Sequence, residues 1–430
     1  MPTKVWRRRP TPPPGFAKSL GMPPFQAHLL YNRGVRSREE LDVYLAADLR
    51  LAADPMLLPD MGKAVARLRR ALSTGEMIGV FGDFDTDGVT GTALLVQALQ
   101  ELGSRVVPYL PDRVDEGHGM NVEAIKSLRA RGVSLLVTVD CGVSSVEEVK
   151  LASSLGIDTI ITDHHSLPSS VPDALAIVNS KRSDSSYPFR ELTGVGLSFK
   201  LVEALWAALG RARPDQLLEL VALGTVADVG PLTGENRHLV KWGLDRLNET
   251  RNVGLRALVA SSRLRMGSLD TDSLSFGLIP RLNAAGRLGD ANLSLDLLTA
   301  TSPEAAERIA EELESRNNER RLLTAQGLAQ SQEQLNLQLQ TVPSIIIVQH
   351  QEWLPGILGL IAGNLSERFY RPAIAISVGE QVSRASARRS SSTARSVRPR
   401  FWYTSPRSVA IWASCRARAR ADSRLLWASE

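Results

Sequence analysis

The chain has 430 residues, 43% apolar and 23% charged, which is enough material for two or three packed domains. No run of about 18 apolar residues occurs, and Met1–Pro14 has no apolar signal core. A membrane span and a secretory leader are therefore not expected, and the two cysteines, Cys141 and Cys415, suit a reducing cytoplasm better than a disulfide framework or a zinc site. The net charge of +5 is uneven: residues 381–430 carry 11 Arg, no Lys and 2 acids (+9), while the other 380 residues hold 40 basic and 44 acidic groups (−4), so global charge does not argue for nucleic-acid binding.

Residues 1–20 read as a lead that is flexible or ordered on contact. Residues 26–73 alternate at helical spacing, as in Ala64-Val65, Leu68 and Leu72, and form a helical cap (1–75). From 77 to 180 a strand–helix rhythm predicts strands at Met77–Phe81, Val106–Tyr109, Leu135–Val139, Thr159–Thr162 and Ala174–Val178. Helices are expected at Ala93–Leu102, Asn121–Ala130 and Val146–Leu155. The expected fold is α/β, a parallel five-stranded sheet with helices on both faces. Buried helices follow at Val195–Leu209 and Gln216–Val226, and the segment Pro280–Gly289 reads as a loop or an anion-binding turn. These elements make up a domain at 76–300. A polar helix over 301–341, with Ala305, Ile309 and Leu313 as its stripe, connects to an incomplete second α/β domain at 342–380. That domain has strands Ile345–Val348 and Ala373–Val378 flanking helix Ile357–Arg368. Residues 381–430 hold 11 Arg, 11 Ser and no Gly, without strand or helix period. They read as a disordered or non-native tail, such as a shifted reading frame produces.

The chemistry sits at strand ends. Asp83, Asp85 and Asp87 follow the first strand, Asp140 the third, and Asp163-His164-His165 the fourth. A parallel sheet places those ends along one edge, where open α/β sheets hold their ligands. Three carboxylates in five residues repel one another, and a divalent cation is the usual compensation. Asp228 closes an apolar helix, where the dipole disfavours an anion unless something cationic offsets it. Three other readings compete for the first loop. One is a calcium loop, which lacks its twelfth-position Glu because Leu94 stands there. Another is a phosphatase with Asp85 as nucleophile, which leaves His164 and His165 without a role. The last is a plain helix-capping turn.

Together, Gly82-Asp83-Phe84-Asp85-Thr86-Asp87-Gly88, Val139-Asp140-Cys141-Gly142, Asp163-His164-His165 and Ala227-Asp228 resemble the DHH phosphoesterase superfamily. Within it the chain looks like the RecJ-type single-strand exonucleases over about residues 25–378. Pro111-Asp112-Arg113 to Gly119 and Arg281 to Arg287 contribute to the likeness. The resemblance implies a phosphodiesterase that degrades single-stranded DNA from the 5′ end using two Mn2+ or Mg2+ ions. It implies Asp83, Asp85, Asp87, Asp140, His164 and Asp228 as metal residues, Asp140 bridging, and Asp163 orienting its neighbour. His165, Arg281, Asn283 and Arg287 would contact phosphates. A monomeric cytoplasmic enzyme of DNA repair and recombination, meeting a single-strand-binding protein or helicase, is the matching expectation. The resemblance leaves alternatives open: a DHH phosphodiesterase acting on short oligonucleotides or cyclic dinucleotides, a non-catalytic DNA-binding scaffold, or an impaired, truncated exonuclease. The family's Gly-Gly-His motif and its following oligonucleotide-binding fold are missing, and Leu354 stands where His is expected.

Overall fold

The computed structural model describes residues 9–113, 115–338, 342–380 and 382–389, and the backbone of 402–404. Two compact units divide within a long helix, one comprising residues up to Ser315 and the other beginning at Arg316. In the first unit, helices α1 (Phe16–Ser19), α2 (Pro24–Asn32) and α3 (Arg38–Ala46) enclose a small core of Phe16, Leu20, Ala27, Leu30 and Leu41. The lead is therefore packed from Phe16 onward, because its apolar residues have a core to enter, and the expected contact-ordered stretch shrinks accordingly. Helix α4 (Met61–Thr74) buries Met61, Ala64, Val65, Leu68 and Ala71 at helical spacing.

The central sheet has the order β2-β1-β3-β4-β5, with every neighbour parallel. Its strands are β1 (Met77–Gly82), β2 (Arg105–Tyr109), β3 (Val133–Val139), β4 (Asp158–Thr162) and β5 (Ala176–Val178). Alternate side chains go to opposite faces. Ile78, Val80, Leu135, Val137, Ile160, Ala176 and Val178 enter one core with α4, α5 (Thr86–Glu101) and α8 (Gly194–Ala208). Phe81, Leu136, Ile161 and Ile177 enter another, with α6 (Val122–Ala130) and α7 (Val146–Ser154). The strand boundaries match the periodicity closely. Helix α5 begins seven residues before the expected Ala93, because Asp85 caps it: its Oδ1 accepts from Asp87 N at 2.9 Å and Gly88 N at 3.2 Å.

Beyond the sheet come α9 (Leu218–Ala227), α10 (Gly234–Asn248), α11 (Val253–Ser261), a π-helical turn at Ser273–Leu278, α12 (Ile279–Leu288) and α13 (Asn292–Leu298). Pro280–Gly289, read as a loop, is thus helical. Pro280 lies where the π-helical turn passes into α12, and Ile279, Leu282, Ala284 and Ala285 are buried. In α14 (Pro303–Gln338) the buried stripe is Ala306, Ala310 and Leu313, so Ala305 and Ile309 lie one residue off it.

The second unit holds β6 (Ile346–His350), α15 (Pro355–Phe369), β7 (Ala373–Ser377), β8 (Ser383–Arg388) and β9 (Trp402–Thr404), with sheet order β6-β7-β8-β9. The β6–β7 pair is parallel; β7–β8 and β8–β9 are antiparallel. Strand β8 falls in a stretch, Ser383–Arg388, that reads from the sequence as tail without strand period. It satisfies the edge of β7, which would otherwise expose a row of backbone donors and acceptors. The rest of the tail reading, 390–401 and 405–430, lies outside the described residues. Among the described residues no helix is long and apolar enough to cross a membrane.

Candidate metal centre

The register of the parallel sheet assembles the centre. Gly82 pairs with Val139, Val139 with Thr162, and Thr162 with Val178, so the three acidic strand ends stand side by side. The ladder runs one residue further: Asp83 N donates to Val139 O, Asp140 N to Thr162 O, and Asp163 N to Val178 O. The backbone of each first acidic residue is therefore held by the neighbouring strand. Asp140 also takes a left-handed φ of 60° at the strand's exit, which turns the chain under the cluster.

Asp87 lies in the first turn of α5, where the helix dipole favours a carboxylate. It also faces the N-terminus of α8, and its Oδ2 and Oδ1 accept from Gly194 N at 2.7 Å and Val195 N at 2.8 Å. Thr193 caps α8 by accepting from Gly196 N, while the two preceding amides go to Asp87. Gly194 permits this closeness, since a Cβ there would lie 2.5 Å from Asp140 Cβ. Asp228 arrives from the C-terminal end of α9, as its position after the apolar helix suggested.

These elements converge on His164. Its Nε2 is 2.9 Å from Asp140 Oδ1, 3.7 Å from Asp228 Oδ2 and 3.9 Å from Asp87 Oδ2. Three groups have ligand atoms within 4.8 Å of one another: Asp83, Asp85 and Asp140; Asp87, His164 and Asp228; and Asp140, His164 and His165. Asp140 thus joins a carboxylate cluster to a carboxylate–imidazole cluster. Its Oδ1 is buried and, despite the nearness of His164, makes no hydrogen bond. A buried carboxylate oxygen in that condition is costly unless it meets a cation. Burial, followed by Asp228 and Asp85, pushes the Asp87 carboxyl well above its usual range. Burial, followed by Asp87, Asp85 and Asp83, does the same to Asp140, and burial with Asp83 raises Asp85. Oxygen donors with one imidazole fit Mn2+ or Mg2+.

Asp163 orients His165 rather than His164. Its Oδ1 accepts from His165 N at 3.0 Å and meets His165 Nδ1 at 2.8 Å, while Oδ2 accepts from Val143 N. Burial alone would raise the Asp163 carboxyl, but the His165 and Val143 bonds bring it below its usual range. Asp163 in turn raises the half-exposed His165.

The 281–287 segment meets the aspartate loop differently than phosphate binding alone required. Asn283 Oδ1 accepts from Thr86 N at 3.1 Å, supporting the start of α5. Arg281 is paired with Glu314 and donates to Gly277 O at 2.6 Å, so its guanidinium is committed inside the unit. Arg287 sits in the last turn of α12. One residue escaped sequence reasoning. His118 Nδ1 lies 3.4 Å from Asp83 Oδ2, and its ring rests on Phe84, over which Arg113 also lies. Nothing in the spacing of the Pro111–Gly119 segment singles out that histidine.

Acidic strand ends, a paired histidine and a remote helix-terminal aspartate around one parallel sheet define a DHH-type protein. Residues 77–225 match the family described as "DHH family, N-terminal domain". The single-stranded-DNA-specific exonuclease RecJ of Bacillus subtilis is 39% identical over 375 residues, which cover 87% of this chain and 47% of that protein. The RecJ of Dickeya dadantii is 39% identical over 399 residues, covering 89% of this chain and 68% of its own length. An exonuclease RecJ structure bound to manganese superposes with a TM-score of 0.74 at 31% identity, over 86% of this chain and 96% of that one. RecJ of Thermus thermophilus in complex with Mn2+ gives 0.77 at 29% identity, over 94% of this chain and 60% of that one. The chain belongs to the RecJ family. It spans about half the length of the Bacillus relative.

Proposed function

We propose that this chain is a divalent-cation-dependent phosphodiesterase that degrades single-stranded DNA from its 5′ end. The observation that carries the reading is the placement of Asp87, Asp140 and Asp228 oxygens within 3.9 Å of His164 Nε2, drawn from four separate segments. The printed names of the relatives, and the Mn2+ in two RecJ structures, support it.

In this reading Asp85, Asp87, Asp140, His164 and Asp228, with Asp83 beside them, would hold two ions of Mn2+ or Mg2+, and Asp140, a member of both the carboxylate cluster and the carboxylate–imidazole cluster, would be shared between them. When bound, such ions polarise phosphate oxygens and supply water of lowered pKa. The chain's own residues do the rest. The α8 amides fix Asp87 so that its carboxylate does not follow the substrate out. Asp163 aligns His165 and keeps its proton in place, so that Nε2–H is available to a phosphate oxygen. Arg287 offers a fork to a neighbouring phosphate. Without a side-chain nucleophile there is no covalent intermediate to trap. Cytoplasmic action as a monomer, alongside a single-strand-binding protein or helicase, completes the proposal.

The test is cleavage of a 5′-labelled single strand by EDTA-treated protein before and after Mn2+ or Mg2+ is restored, with duplex, dinucleotides and cyclic dinucleotides in parallel. Cation-dependent release from the 5′ end of the single strand is expected. A phospho-aspartate on Asp85, or preferential cutting of the dinucleotides, overturns it.

A further inference from the structure

The residue after Asp228 is conformationally anomalous. Val229 has φ 55°, a left-handed conformation that β-branched residues rarely adopt. It occupies the position beyond the α9 terminus that glycine usually fills, with Val229 N donating to Val226 O and Gly230 N to Thr225 O. A glycine stands one residue later but cannot take over this place. A Cβ on Gly230 would lie 2.8 Å from Thr193 Cγ2, so Gly230 is committed to close packing against the cap of α8. The register therefore forces residue 229 into the left-handed region, yet it does not call for valine.

Nor does packing within the chain call for it, since Val229 is 85% exposed. Its location indicates what covers it. Around His164 the side chains of Asp87 and Asp140 are almost wholly enclosed, while Asp228 is 36% and His165 48% exposed. The centre opens on the side of those last two residues, and Val229 is covalently next to one of them. A strained, β-branched residue that the described residues leave largely uncovered, next in the chain to a residue at the open side of the site, is an outlier from which a role at that site can be inferred.

We propose that Val229 is a substrate-contact residue, whose isopropyl group packs on the sugar and base of the nucleotide adjoining the scissile phosphate. This rests on the phosphodiesterase reading above. An apolar side chain suits the task because the acidic centre repels the phosphodiester until cations are present. A neutral contact to sugar and base adds affinity without adding to that repulsion.

The experiment compares Val229→Gly and Val229→Ile with wild type in the full chain. It measures thermal midpoint, Mn2+ half-activation, steady-state constants on a 5′-labelled single strand, and anisotropy of a labelled oligothymidylate. Glycine keeps the backbone conformation and removes the side chain, so Val229→Gly should melt at or above the wild-type midpoint with unchanged Mn2+ half-activation and kcat. Its KM and oligothymidylate Kd should rise about tenfold, the loss of most of one valine's burial. Val229→Ile should stay near wild type in both. Unchanged KM and Kd in Val229→Gly overturn the inference, and so does an effect confined to Mn2+ half-activation, which would mean that Val229 acts only through Asp228. Failure of the wild-type protein to cut the single strand at any Mn2+ concentration would instead overturn the function proposed above.

Discussion

Replacing Gly194 by alanine probes how tightly the centre is built. The added Cβ would lie 2.5 Å from Asp140 Cβ and 2.9 Å from its Oδ1. Non-bonded carbons settle near 3.5–4.0 Å, so roughly 1 Å must be found. Asp140 cannot find it by changing rotamer, because the atom struck is its own Cβ. Its backbone is held by the 2.9 Å bond to Thr162 O and by its left-handed turn. The alternative is for α8 to retreat, which withdraws the Gly194 and Val195 amides from Asp87. Either route displaces a site carboxylate by about 1 Å, a shift that costs on the order of 100-fold in rate. The overpacking itself costs about 1–3 kcal/mol. Gly196→Ala is the internal control. Its Cβ meets nothing nearer than 3.5 Å, and alanine stabilises a helix interior by up to about 1 kcal/mol. The assay is kcat/KM on a 5′-labelled single strand at saturating Mn2+, with Mn2+ half-activation and urea midpoints alongside. Gly194→Ala with wild-type kcat/KM and Mn2+ response would refute the reasoning, and so would equal damage from Gly196→Ala.

Burial pushes the half-buried Glu219 from 4.5 up to about 7, against the lowering effect of its Thr250 hydrogen bond. A carboxyl whose folded pKa is raised favours the fold fully below about 4.5 and loses that contribution as pH rises toward 7. The loss is about 2 kcal/mol once partial exposure is allowed for. Glu219→Gln should therefore raise the urea midpoint at pH 8 and leave it unchanged at pH 4, and equal effects at both would contradict the assignment. Asp163→Asn should return the raised His165 toward its ordinary value, read by imidazole NMR titration, and move the alkaline limb of the activity profile to lower pH. An unaltered His165 titration would show that Asp163 is not what holds its proton. Asn283→Ala should cost about 1–2 kcal/mol by leaving the buried Thr86 N–H unpaired, with KM unchanged. A raised KM at wild-type stability would return Asn283 to phosphate binding.

Much of the centre was legible because the chemistry coincides with strand ends. Apolar runs mark β1, β3 and β4, and a parallel sheet brings their carboxyl ends to one edge whatever the details. The acidic residues after Phe81, Val139 and Thr162 therefore had to be neighbours. Local signals also carried the α14 span and the β6–α15–β7 unit. The start of α5 is not legible in the same way, because a cap and a cation ligand call for the same residue types, and Asp85 has the geometry of a cap.

What remained depended on contacts between residues far apart in the chain. No local pattern reveals that Asp87 is gripped by amides from Gly194 and Val195, or that Asn283 serves Thr86 across almost two hundred positions. The same holds for Arg281 being consumed by Glu314, His118 reaching Asp83, and β8 adding to the second sheet. Periodicity encodes which face a residue turns inward, and that is a property of its own element. Which elements then meet, and which hydrogen-bonding groups are used up when they do, is set by packing across the whole chain. The sequence alone thus determined an acidic, cation-seeking edge on a parallel sheet, and tertiary structure decided which side chains face its mouth and which are already engaged.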